Sequence, residues 1–289
     1  MNIVNILEEI EKVDGEIYER LNPRRAAMKD FFNMGKKITL AAMPLALGSV
    51  FQKAYGQSTP QAVTDVLNFA LALEYLEYNF YNHALAGTPA TPIPAGAPLA
   101  AITLIRDHEL AHVNLLKGAL GSAARAPIPY SDTDFTAGGT FPTVFSDYGT
   151  FLAVAQGFED TGVRAYKGQA GVLVGNTVLT TALQIHSVEA RHAAHIRAMR
   201  TALSGGTAVY KPWVSLGSAG QANDSGVSQV DAVYAGEDTT VQAGVNIVGI
   251  NGNAGVTKAA AVECFDEPLD KASVITIANL FLQPGKKLS

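Results

Sequence analysis

Residues 106–112 read Arg106-Asp107-His108-Glu109-Leu110-Ala111-His112, and residues 187–192 read Ser187-Val188-Glu189-Ala190-Arg191-His192. Each stretch holds a Glu-x-x-His. Residues three apart on a helix stand on one face, so each pair presents a carboxylate and an imidazole to the same point. With 13 Glu and 6 His in 289 residues, chance supplies well under one such pair, yet two occur, Glu109 with His112 and Glu189 with His192. Both sit in long helical patterns, one from near Pro98 to Leu120-Gly121, the other from after Asn176 to Leu203. Outward from them lie two further helical stretches. One opens at Thr59-Pro60 and stops at Ala86-Gly87; the other begins after Ser146-Asp147 and runs to about Lys167-Gly168. Each carries one Glu in apolar surroundings, Glu74 and Glu159, with a Tyr seven residues on, Tyr81 and Tyr166, two turns along the same face. The order "helix with Glu and Tyr, then helix with Glu-x-x-His" therefore occurs twice.

Short connections join the first helix to the second and the third to the fourth. Between them, residues 122–145 are rich in Pro and Gly, and a structureless loop of that length would count against the assignment. A four-helix bundle with one long crossover between helices 2 and 3 uses it, because that connection runs the length of the bundle. The first helix, with Leu67-Asn68-Phe69-Ala70-Leu71-Ala72-Leu73-Glu74-Tyr75-Leu76-Glu77, resembles the bacterial ferritin-like domain proteins of the di-iron carboxylate superfamily. The resemblance covers residues 58–204, about half of the chain. It implies an all-α, ferritin-like bundle holding two metal ions: Glu74 and Glu159 as terminal ligands, Glu109 and Glu189 bridging, His112 and His192 each binding one ion. It also implies two irons reacting with O2 or peroxide, of ferroxidase or peroxide-scavenging type. A di-manganese catalase-like enzyme is the alternative metal reading, and an envelope structural or stress-protection protein on a ferritin-like scaffold is the non-enzymatic one. Burying four carboxylates without compensating charge is costly, and two divalent cations supply about that charge. Tyr81 and Tyr166 are candidates for hydrogen bonding to the site or for electron donation, beside a plain packing role.

Other residues weigh less. Glu77 lies one turn from Glu74, but its counterpart on the third helix is Gly162, so the half-to-half symmetry favours Glu74. His108 points about 100° away from Glu109, and His83, His186 and His195 suit the surface or the outside of the site. Gly149, Gly157 and Gly162 in the third helix predict close helix contact, since Gly costs about 1 kcal/mol there.

Composition bounds the rest. A net charge of −5 with no basic stripe gives no footprint for nucleic acid. The 48% hydrophobic and 16% charged residues fit a compact fold with an ample core. The single Cys264 excludes an intramolecular disulfide and the four-cysteine centre of a rubredoxin-type relay. Residues 1–57 read differently from the rest: an amphipathic helix over 1–22, then Pro23-Arg24-Arg25-Ala26-Ala27-Met28-Lys29, an apolar run over 38–50 and Ala54-Tyr55-Gly56-Gln57. That run is too short for a transmembrane helix of about 20 residues. The stretch resembles a twin-arginine export signal at Arg24, Arg25, Met28 and Lys29 and departs at Pro23 and Ala27. It implies a periplasmic or envelope location, with an N-terminal helical hairpin in the cytoplasm as the other reading. Residues 205–289 form a C-terminal extension. It combines short strands or loops, an Asn251-Gly252 turn signal and a final helix over 269–282, and is a candidate surface for a homo-oligomer or envelope partner.

Overall fold

A computed structural model describes residues 61–87, 91–242 and 244–289. The expected N-terminal helix, export signal and Thr59-Pro60 helix start lie outside the described residues. Four long helices follow in order, α1 (Gln61–Ala86), α2 (Ala97–Leu120), α3 (Tyr148–Ala170) and α4 (Val178–Leu203). Local chemistry sets their ends. Pro98 stands in the first turn of α2 beyond Gly96, whose φ of 86° suits glycine. Asp147 caps α3 by accepting from the Thr150 N–H at 2.7 Å.

The helices pair as two hairpins, α1 with α2 and α3 with α4, and α1 packs on α3 while α2 meets α4. The crossover runs along α1. Asn68, near the start of α1, donates to the Ala123 carbonyl (2.9 Å), Asn79 donates to the Ile128 carbonyl (2.8 Å), and the His83 ring stacks on Tyr130 at 4.2 Å. By Tyr148 the chain has reached the other end of α1, where Phe80 and Phe151 stack at 5.0 Å. Phe80, Phe135, Phe145, Phe158 and Phe281 complete that aromatic cluster. It draws on α1, the crossover, α3 and the tail.

α3 is buried continuously from Phe151 to Tyr166, as a helix must be when it is covered on all sides. The covering comes from residues 205–289, which pack on the bundle within one compact unit. They contain a two-residue hairpin, β1 (Val241–Gln242) with β2 (Val245–Asn246), and two helices, α5 (Lys258–Val262) and α6 (Lys271–Ala278). Polar residues of α3 that would otherwise be stranded are matched by this layer. Asp160 takes a two-pronged bond from Arg197 of α4 (2.7 and 2.7 Å) and a third from the Tyr234 hydroxyl (2.6 Å). Gln156 donates to Tyr234 (2.9 Å) and accepts from Arg200 (2.6 Å). Arg164 pairs with Glu237 (2.8 Å) and donates to the carbonyls of Ala235 and Glu267 (2.7 Å each). The tail is also stitched to the crossover, Asp134 N–H to Phe281 carbonyl (2.8 Å) and Gln283 N–H to Asp132 carbonyl (2.9 Å).

Two expectations are corrected here. The final helix is shorter, because the Leu269 N–H is held by the Arg164 carbonyl at 3.2 Å; the helix starts beyond it, capped by Asp270, whose carboxylate accepts from Ser273 N–H at 2.9 Å. The hairpin turns between Gln242 and Val245, while Asn251-Gly252 lies in a single 3-10 turn. Gly149 and Gly162 of α3 stand at close helix contacts as expected, a Cβ on Gly149 meeting Leu203 of α4 at 3.6 Å. A Cβ on Gly157 would meet Val230 of the extension, and one on Gly162 would meet the Glu77 carboxylate at 3.2 Å and Glu189 at 3.4 Å. The closest approach is at Gly168, where a Cβ would sit 1.9 Å from the Leu269 carbonyl oxygen. No helix among the described residues is long and apolar enough to cross a membrane.

Candidate metal centre

The two Glu-x-x-His pairs face each other from α2 and α4, and α1 and α3 add Glu74 and Glu159 from the other hairpin halves. All four carboxylates are fully buried, and His112 and His192 are 8% and 5% exposed. The arrangement is nearly two-fold. His112 Nδ1 lies 3.2 Å from Glu74, 3.1 Å from Glu109 and 3.1 Å from Glu189. His192 Nδ1 lies 2.9 Å from Glu109, 3.1 Å from Glu159 and 3.3 Å from Glu189. Glu109 turns Oε2 to His112 and Oε1 to His192; Glu189 turns Oε1 to His112 and Oε2 to His192. Glu74 and Glu159 each address one imidazole only, and the second oxygen of each is held by a tyrosine. The pairing crosses the bundle: Tyr81 of α1 donates to Glu159 of α3, and Tyr166 of α3 donates to Glu74 of α1. The sequence placed each Tyr on the face of its own helix's Glu; packing gives it to the opposite helix.

Hydrogen bonds alone do not satisfy this cluster. One imidazole N–H carries one proton and cannot serve three oxygens at once. Glu109 Oε1 and both oxygens of Glu189 are buried with no hydrogen-bond partner, a cost of about 1–3 kcal/mol each or more for a charged group. Two divalent cations, each taking one Nδ1 and three carboxylate oxygens, would remove that deficit. The two sets, Glu74, Glu109, His112, Glu189 and Glu109, Glu159, Glu189, His192, each offer ligand atoms within 4.8 Å of one another and share the same two glutamates. An oxygen and imidazole donor set without thiolate suits iron, manganese or zinc.

Without metal the cluster settles by sharing protons. Burial, then the Glu189 charge, pushes Glu109 up to about 8; burial pushes Glu159 up to about 7 against the pull of His192. Burial would raise Glu189 as well, but the imidazolium charges of His112 and His192 draw it down to about 2. Glu109 and Glu189 occupy equivalent places, so these values describe the pair: one carboxylate ionises readily between two imidazoliums, and the second is resisted. His192 is driven up to about 12, its burial outweighed by the Glu159 charge and by the Glu109 and Glu159 carboxylates beside its ring, and His112 rises for the same kind of reason. Tyr81 and Tyr166 are held well above their ordinary range, by burial first and then by their glutamates.

Two residues belong to this region that the sequence set aside. Glu77 is buried, 3% exposed, and held well above the carboxylate range by burial and by the other four glutamates. Its position three after Glu74 was a usable signal; Gly162 opposite, lacking a side chain, is what makes room for it. His108 accepts or donates through Nδ1 to His192 Nε2 at 2.9 Å, with the rings stacked at 5.2 Å. No local signal reveals that contact, since its partner stands 84 residues away on another helix. His83 is spent on Tyr130, and His186 on the Val163 carbonyl at 2.9 Å.

No curated protein and no solved structure matches the chain. The family model of the ferritin-like domain matches residues 62–202, from the first turn of α1 to the last turn of α4, and the chain carries a ferritin-like domain over those residues.

Proposed function

We propose that the buried cluster is a di-metal site, with iron as its metal, that reduces O2 or peroxide. The observation that carries this reading is the sharing pattern: two imidazole Nδ1 atoms, each ringed by three carboxylate oxygens, with Glu109 and Glu189 common to both rings. Glu74 and His112 would hold one ion, Glu159 and His192 the other, and Glu109 and Glu189 would bridge. Two irons so placed supply two electrons at one point, the chemistry that dioxygen or peroxide reduction needs. The chain's own part is to orient and to exclude water. Tyr81 and Tyr166 fix the terminal carboxylates, and all four carboxylates are fully buried. Manganese fits the same donors and is the alternative metal. With the arginine pair near the N-terminus, the chain is proposed to act in the periplasm or envelope, the C-terminal extension being the candidate surface for an oligomer or envelope partner.

Metal-free protein given Fe(II) in air should oxidise it faster than buffer does, with near-ultraviolet absorption rising. Glu74→Ala or Glu159→Ala should slow this and keep the helical circular dichroism, because each serves one ion. Oxidation no faster than in buffer, with metal still bound and a melting point that falls when it is stripped, would instead make the metal structural. Loss of all metal binding is expected of Glu109→Ala combined with Glu189→Ala, since both rings lose their shared members.

A further inference from the structure

α2 and α4 flank an open groove of about 890 Å3, within the ~300–1,000 Å3 of small-molecule sites. Its walls are small and apolar, Ala101, Leu104 and Ile105 from α2 facing Ala198 and Met199 from α4, and Leu104 is 55% exposed. At one end the lining turns polar, with His108, Arg191 and His192 and then His195 one turn along α4, so the groove ends against the metal centre; Tyr148 is the other polar residue of the lining. No Asp or Glu lines it, in a chain with a net charge of −5.

The polar end holds one fixed cation, Arg191, beside the imidazoles. His192 Nδ1 faces the glutamates, and its Nε2 meets His108 Nδ1 at 2.9 Å. Arg191, exposed on α4, adds a fixed positive charge and a fork of N–H donors. A ligand that matches must bring an acceptor, best a negative one, on an apolar body. From Ala97 to His108 the groove follows about 16 Å of helix, which suits a single chain of about twelve carbons.

We propose that this groove binds a free single-chain amphiphile with a carboxylate head, a fatty acid of medium length, its head at His108 and Arg191 and its chain running along α2 toward Ala97. That it binds does not rest on the function proposed above.

The test is calorimetric titration of the full chain, metal-free and metal-loaded, with dodecanoate below its micellar concentration. Dodecanoate should bind one per chain. Dodecylamine, with the same tail and the opposite charge, should bind at least tenfold more weakly. Arg191→Gln should weaken dodecanoate threefold or more. Ala101→Trp should weaken it tenfold or more while metal content stays at the wild-type level; Ala198→Trp, at an exposed position on the other wall, makes the same test if the first variant folds poorly. Equal binding of the amine, indifference to both tryptophans, or no binding by the full chain would overturn the proposal. So would an oligomer that Ala101→Trp dissociates, which would make the groove an interface between copies. Vesicles of anionic phospholipid bound as tightly as free dodecanoate would overturn it in favour of a membrane surface. Dodecanoate binding by a chain that takes up no metal would leave this inference standing and remove the metal reading; metal uptake without dodecanoate binding would do the reverse.

Discussion

Loading the cluster with metal should release protons, in a number set by the residues around it. At pH 7 the metal-free site holds His192 as imidazolium, pushed up to about 12, and His112 likewise raised. The Glu109–Glu189 pair retains a proton that leaves near 8, and Glu159, near 7, is half protonated. All must be deprotonated to bind two cations, so filling both positions displaces about three to four protons at pH 7. Each displaced proton adds one to the slope of log K against pH, so lowering the pH from 7 to 6 should weaken the pair of ions by roughly 5 kcal/mol in total, at about 1.36 kcal/mol per proton per pH unit. The sign is fixed by the raised values: protons occupy the ligands below them, and binding strengthens as pH climbs through 7 and 8. Above 8 only the imidazolium protons remain to be displaced, and the slope should fall toward about two. Titration of metal-free protein with Co(II) in buffers of different ionisation enthalpy gives the count directly, from the apparent enthalpy plotted against buffer enthalpy. Fewer than one proton released per two ions would refute the reasoning, because the ions would then be binding elsewhere or the cluster would stand ionised without them.

Arg197→Met should cost about 3–5 kcal/mol, because it leaves Asp160 buried without its cation, and Arg197→Met with Asp160→Leu should recover most of that loss in urea unfolding. An additive double mutant would show that the pair is not coupled. Phe80→Ala should cost about 3–5 kcal/mol, since its ring is fully buried among five other aromatic rings; a loss below 1 kcal/mol would mean the cluster collapses around the gap. Replacing Arg24 and Arg25 by Lys should hold the protein in the cytoplasm, because twin-arginine export reads guanidinium pairs and not charge alone; unchanged fractionation would refute export.

What the sequence determined is what depends on spacing along one helix. Glu109 with His112 and Glu189 with His192 share a face by the 3.6-residue period alone, and the twofold recurrence of Glu, Tyr and Glu-x-x-His made a bundle with a crossover the one arrangement that brings them together. Asp147, through its carboxylate, and Gly121, through its positive φ, mark helix ends by their own local chemistry. Only tertiary structure decided what depends on neighbours far along the chain. Tyr81 reaches Glu159 and Tyr166 reaches Glu74 because α1 and α3 lie side by side with opposite directions, a relation with no period to betray it. Glu77 is buried because Gly162, 85 positions later, leaves space for its carboxylate. The polar residues Gln156, Asp160 and Arg164 on α3 are interior because residues 205–289 fold over them with Tyr234, Glu237 and the backbone of Glu267 as partners. A buried polar group demands a partner without saying which one, and pairing over such distances is settled only when the chain has folded.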